Sequence, residues 1–147
     1  MDKYYYFIAS LPYLEFDKTP LITKEEFMDE CAKWLSEKDV KRVESVGRVT
    51  LGEFPEDTEV LREWKAFDLE LKKEIAIGRK KGQENAGKKV TERVKAIFKL
   101  DTPLLAEKAI EKKRWEFIEN KVGKYHFDIN AVMFYFLKLG IAQRLAE

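Results

Sequence analysis

The chain has one cysteine, Cys31, and one histidine, His126, among its 147 residues. A lone cysteine excludes an intrachain disulfide, and one Cys with one distant His cannot assemble a typical zinc set. No Glu-x-x-His pair is present for a di-iron bundle. The phosphate-cradling pattern Gly-x-x-x-x-Gly-Lys-Ser/Thr is missing as well. No metal or other cofactor is therefore expected. No repeat or low-complexity tract is visible, and no apolar run approaches the ~20 residues a membrane span needs. With 28 basic and 27 acidic residues the formal charge is only +1. Bulk charge thus gives no reason to expect nucleic acid or an anionic membrane as partner. The opening MDKYYYFIASLPYL is only loosely like a secretory leader. Tyr4, Tyr5 and Tyr6 are poor leader-core residues, Pro12 interrupts it, and Asp2 spoils the positive end. Sparse cysteine fits a reducing compartment.

What is present is charge-rich and helical. The length suits a single domain over residues 1–147. No segment alternates strictly, and Asn-Gly or Asp-Gly hairpin turns are absent. Helical spacing, by contrast, recurs. Thr23 and Glu26 form a capping-box pattern. The helix they open carries Phe27, Cys31, Trp34 and Leu35 on one side. Ser36 caps a second helix, with Val40, Val43 and Val46 inward and Gly47 as its stop. Arg48 to Pro55 reads as a connector. A long helix then runs from about Glu56 to Arg79, with a stripe of Val60, Trp64, Phe67, Leu71 and Ile75. Asp68 and Lys72 on it are an i,i+4 pair of favourable order. A polar stretch bracketed by Gly78, Gly82 and Gly87 reads as a flexible basic loop over 78–89. A helix over Lys88 to Lys99 follows, with Val90, Val94, Ile97 and Phe98 inward. Thr102-Pro103 starts the next, which carries Ala106, Ile110, Phe117, Ile118 and Val122 and stops at Gly123. Asp128 caps the last. Tyr4 to Leu14 is strand or helix; periodicity does not decide. The fold expected is all-α, a compact bundle of five to seven helices.

Catalytic readings are weak. A Cys31–His126 pair could make a small thiol enzyme, but Cys31 sits on an apolar stripe, where a buried inert thiol is the simpler reading. His126 beside a cap reads as structural or solvent-exposed. Arg79, Lys80, Lys81, Lys88 and Lys89 could meet an anionic partner, though a solvated loop explains them without one. Trp34, Trp64 and Trp115 read as core. Tyr4, Tyr5 and Tyr6 cannot all face one core, so at least one points toward water or a partner.

The last segment is the most informative. Seven unbroken apolar residues, Ala131 to Leu137, sit inside a helical span that ends in charge. Helical spacing puts Phe134 and Ile141 on one side and Val132, Phe136 and Leu139 on another. A helix apolar around most of its girth is buried or covered by a partner. The expectation is therefore a docking protein without catalytic machinery.

Two segments carry a resemblance. YYYFIASLPYLEF followed by PLITKEEFMDECAKWLS is similar to the start of a bacterial family encoded beside V-type ATPase genes. That family in turn resembles the C-type subunit of V-type ATPases, also called the d-type subunit. Leu21, Thr23, Glu26 and Phe27 match the family's Leu-Thr-x-x-Glu/Asp-Phe-like helix start. The closing stretch TPLLAEKAIEKKRWEFIENKVGKYHFDINAVMFYFLKLGIAQR resembles the family's end pattern through Ala106-Glu107-Lys108, Phe127-Asp128, Tyr135 and Arg144. The C-type subunit is a longer, three-lobed helical funnel, so this chain corresponds to one lobe or a trimmed core. The resemblance implies a non-catalytic coupling element between the central stalk and the membrane rotor ring, in proton or sodium transport. It would be cytoplasmic, held at the inner face of the plasma membrane through the ATPase, without inserting itself. Under that reading Tyr4, Tyr5, Tyr135, Leu139 and Arg144 are the expected contacts. The alternative is a free-standing helical adaptor that forms a homodimer through the final helix.

Overall fold

The computed structural model describes residues 3–47, 59–79, 97–122 and 128–146. Six helices lie among them: α1 (Lys3–Ser10), α2 (Lys24–Trp34), α3 (Glu37–Gly47), α4 (Glu59–Arg79), α5 (Pro103–Val122) and α6 (Ile129–Ala146). No strand occurs among the described residues, so the all-α bundle stands. The ambiguous N-terminal segment is helix α1 followed by a connector from Leu11 onward.

Local chemistry starts four of the helices. Thr23 Oγ1 accepts from the Glu26 amide at 3.0 Å, and Glu26 Oε1 accepts from the Thr23 amide at 2.9 Å. This reciprocal box satisfies two donors that a helix N-terminus otherwise leaves unpaired. Ser36 Oγ accepts from the Asp39 amide at 3.2 Å, and Thr102 Oγ1 from the Leu105 amide at 3.1 Å. Asp128 Oδ1 takes the Asn130 amide at 2.9 Å to open α6. Thr23→Ala is expected to cost about 1 kcal/mol, read as a lower urea midpoint at unchanged slope. An unchanged midpoint would mean that α2 is held by packing alone.

Helix α6 is the hub. It touches all five other helices, α3 and α5 most extensively. Val132, Met133, Phe134, Leu139, Ile141 and Ala142 are all buried. The all-round apolar helix is thus covered by its own chain, which removes the need for an external partner to cover it. The main core gathers Phe7, Phe27, Cys31, Val43, Val46, Trp64, Trp115 and Ile118 around α6. A smaller cluster of Leu71, Ile75, Ile97 and Ile110 joins α4 to α5.

Two expectations change. Trp34 is 37% exposed and only leans on Phe7, at 6.0 Å between ring centres, whereas Trp64 and Trp115 are buried. Trp34 lies seven positions after Phe27 and nearly in line with it, but it is the last residue of α2 and so stands at the end of the buried stripe. Gly78 and Arg79 are helical residues of α4, so the expected loop does not begin at 78. A Cβ at Gly78 would stand 1.9 Å from the Phe98 ring, and glycine there lets the ring lie on the helix backbone. Of the helix expected over Lys88 to Lys99, only its end is described, with Ile97 buried and Phe98 half-buried. The connector from Arg48 to Pro55 and residues 80–89 of the basic loop lie outside the described residues.

Candidate functional site

The five side chains expected at an interface occupy different settings. Leu139 is fully buried in the core, so it cannot reach a partner while the chain stays folded. That expectation is corrected: its apolar neighbours belong to this chain. Tyr4 is half-buried, and its hydroxyl donates to Asp39 Oδ2. Burial, and then the carboxylate beside it, push the Tyr4 phenol up to about 12. Tyr135 donates to the Pro12 carbonyl, and burial pushes its phenol up to about 12 as well. Both hydroxyls therefore serve as staples, joining α1 to α3 and α6 to the connector after α1. Tyr5 and Tyr6 face solvent, packed edge to face at 5.5 Å.

Cys31 is fully buried, and desolvation pushes its thiol up to about 12. A nucleophilic cysteine needs an accessible thiolate, so the thiol-enzyme reading loses its nucleophile. His126, Lys80, Lys81, Lys88 and Lys89, and the side chain of Arg79, lie outside the described residues. Among the described residues no group of three or more His, Cys, Asp or Glu is placed to hold a metal ion. No described helix is long and apolar enough to cross a membrane.

Sequence reasoning missed two features. The first is apolar exposure on the connector between α1 and α2: Tyr13 is 82% and Leu21 is 85% exposed. With Tyr5, Tyr6 and Trp34 they put five exposed large apolar side chains in the first third of the chain. Pro12 and Pro20 were available signals, since proline cannot continue a helix and biases the residue before it toward an extended backbone.

The second is an ion network. Arg114 Nε donates to Asp68 Oδ1 at 2.8 Å, and Lys72 Nζ lies 3.1 Å from Asp68 Oδ2. Arg114 also donates to Glu111 Oε1 at 2.9 Å. Arg144 reaches Glu111 twice, at 2.7 and 3.2 Å. Three helices, α4, α5 and α6, are tied through these five residues. Glu111 is only 6% exposed. Burial alone would raise its pKa, but hydrogen bonds and charge from Arg144 and Arg114 outweigh it and hold the carboxyl below its usual range. A depressed folded-state pKa contributes stability above the unfolded value, and that contribution is lost as pH falls through the folded one. Glu111 thus makes the fold acid-sensitive: its share is complete above about pH 4.5, the ordinary Glu value. A Glu111→Gln chain should show a weaker fall in stability between pH 5 and pH 3. An identical acid profile would place the sensitivity elsewhere.

The network edges a cleft of about 220 Å³ between α2, α3, α4, α5 and α6. Lys24, Lys72, Arg114 and Arg144 line it with Asp68, and Trp64, Phe136 and Gly140 add apolar wall. Trp64, Asp68 and Lys72 share one face of α4; Phe136, Gly140 and Arg144 share one face of α6. Both sets repeat at i, i+4, i+8, so both helices present a charged end to the same space.

A family model described as a protein of unknown function (DUF2764) matches residues 1–49. The match takes in α1, α2 and α3 and all five exposed apolar residues of the first third. No curated protein and no solved structure matches the chain.

Proposed function

We propose that the protein is a non-catalytic component of a V-type ATP synthase/ATPase, akin to its C-type subunit. In this role it couples the central stalk to the membrane rotor ring from the cytoplasmic face. The supporting observation is the exposure of Tyr5, Tyr6, Tyr13, Leu21 and Trp34 within the first third of the helical bundle. Tyr and Trp anchor interfaces because they bury much area for few rotatable bonds. The segment YYYFIASLPYLEF, which carries three of these five residues, is also part of the resemblance to that V-type ATPase component. The buried Cys31 thiol and the hydroxyls of Tyr4 and Tyr135, spent on internal bonds, fit a body that transmits force without forming covalent intermediates.

Native purification of the ATPase from the source organism tests this reading. The chain should co-purify with the rotor-ring and central-stalk subunits. A Tyr13→Glu, Leu21→Glu double variant should fall out of the complex with its helix content and Tm nearly unchanged, because these side chains are 82% and 85% exposed on the connector. An intact ATPase recovered without the chain would overturn the reading. The homodimer alternative drew on a surplus apolar face of the final helix, and α6 presents none. A stable dimer by light scattering, with no ATPase association, would favour it instead.

A further inference from the structure

We infer that the cleft between α2, α4, α5 and α6 is a binding site for a phosphate dianion, with Lys24, Arg144 and Arg114 as its donors and Gly140 as its floor. The site is independent of the coupling role proposed above.

Charge comes first. Four cations, Lys24, Lys72, Arg114 and Arg144, border the cleft, against two carboxylates, Asp68 and Glu111, in the network at its edge. Four less two leaves an excess of two positive charges in a chain whose total is +1. The carboxylates are already committed. Both Asp68 oxygens are taken by Arg114 and Lys72, and both Glu111 oxygens by Arg114 and Arg144. Among the described residues Lys24 makes no ion pair; its ammonium lies over the Phe136 ring at 5.9 Å.

Geometry comes second. A Cβ at Gly140 would stand 3.5 Å from Arg144 Nη1 and 3.6 Å from Lys24 Nζ. Two cationic donors from different helices therefore converge on one point over a residue without a side chain. One phosphate there can take a bond from each, and Arg114 stands on the same wall. Charge-assisted bonds from guanidinium and ammonium groups to phosphate are the strong class of hydrogen bond. A dianion matches the excess charge; a monocarboxylate would leave one positive charge uncompensated. The apolar wall of Trp64 and Phe136 lowers the local dielectric and strengthens the attraction.

The test is a titration of the full chain with inorganic phosphate, followed through the amide resonances of Lys24, Gly140 and Arg144. Chloride at matched ionic strength is the control. Saturable shifts with phosphate and none with chloride are expected. Inorganic phosphate takes up its second proton close to neutral pH, and phosphomonoesters near pH 6, so phosphate affinity should weaken as pH drops through neutral, whereas that of sulfate should stay level. Lys24→Gln should weaken phosphate binding about tenfold, the loss of one charge-assisted bond. Gly140→Asp should abolish it, by placing a carboxylate between the two donors, and should raise Tm. Should Gly140→Asp misfold, Lys24→Gln at a partly exposed position still decides. Glycerol phosphate in a parallel titration identifies the source. Binding equal to inorganic phosphate points to a phosphomonoester, and preference for inorganic phosphate points to the free ion. Equal, unsaturable shifts with phosphate and chloride would overturn the inference, as would saturable binding that Lys24→Gln leaves untouched.

Discussion

Phe27→Ala is expected to destabilise the chain by about 3–5 kcal/mol. Domains of this size hold only ~5–15 kcal/mol in total, so the variant should lie near the edge of folding. Phe27 is fully buried, with Phe7 stacked at 5.9 Å, Tyr135 at 5.3 Å and Phe136 at 5.5 Å. Its ring joins α1, α2 and α6, and those neighbours cannot easily close the gap. Tyr135 is pinned by its bond to Pro12, and Phe7 is wedged between Phe27 and Trp34. A cavity that cannot collapse keeps its full cost. Phe27→Leu, which retains most of the volume, should cost clearly less. Urea unfolding followed by far-UV circular dichroism measures both. A loss below about 1 kcal/mol for the alanine variant would mean that the ring cluster is not what seats α2 on α6.

Glu111→Ala is expected to cost about 3 kcal/mol, the scale found when one partner of a buried ion pair is removed. The carboxylate serves two arginines. Arg144 is half exposed and can return to water, whereas Arg114 is largely buried and keeps only Asp68. The second effect has the opposite sign. Removing Glu111 also removes one of the two negative charges beside the cleft, so phosphate affinity should rise while stability falls. A surface pair gives the contrast. Lys33 and Glu30 lie 3.0 Å apart but well exposed, and Lys33→Ala should change stability by less than about 0.5 kcal/mol. Equal losses for Glu111→Ala and Lys33→Ala in the same urea series would refute the claim that burial, and not pairing itself, sets the cost.

Much of the fold was legible from local chemistry. Thr23, Ser36, Thr102 and Asp128 all cap helices as their spacing predicts, because a cap involves only residues two or three positions away. The stripes Phe27-Cys31-Leu35 and Trp64-Leu71-Ile75 are buried as their periodicity predicts, because one face of a helix is determined by i, i+4 geometry. Trp34 falls at the rim because periodicity gives the direction of a side chain and not the reach of the neighbour meant to cover it.

The candidate site was legible only in fragments. The sequence alone determined that the chain is helical, where four of its helices begin, and that Asp68 faces Lys72 one turn away. It also determined that the last helix must be covered. Tertiary structure alone decided what covers it: α1 to α5 of the same chain. The same holds for the charged network. Arg114 meets Asp68 across 46 positions, and Arg144 meets Glu111 across 33. On a single helix such residues look like any solvated face. Their meeting depends on how whole helices cross and slide against one another, and that is settled by the packed core, not by near neighbours along the chain.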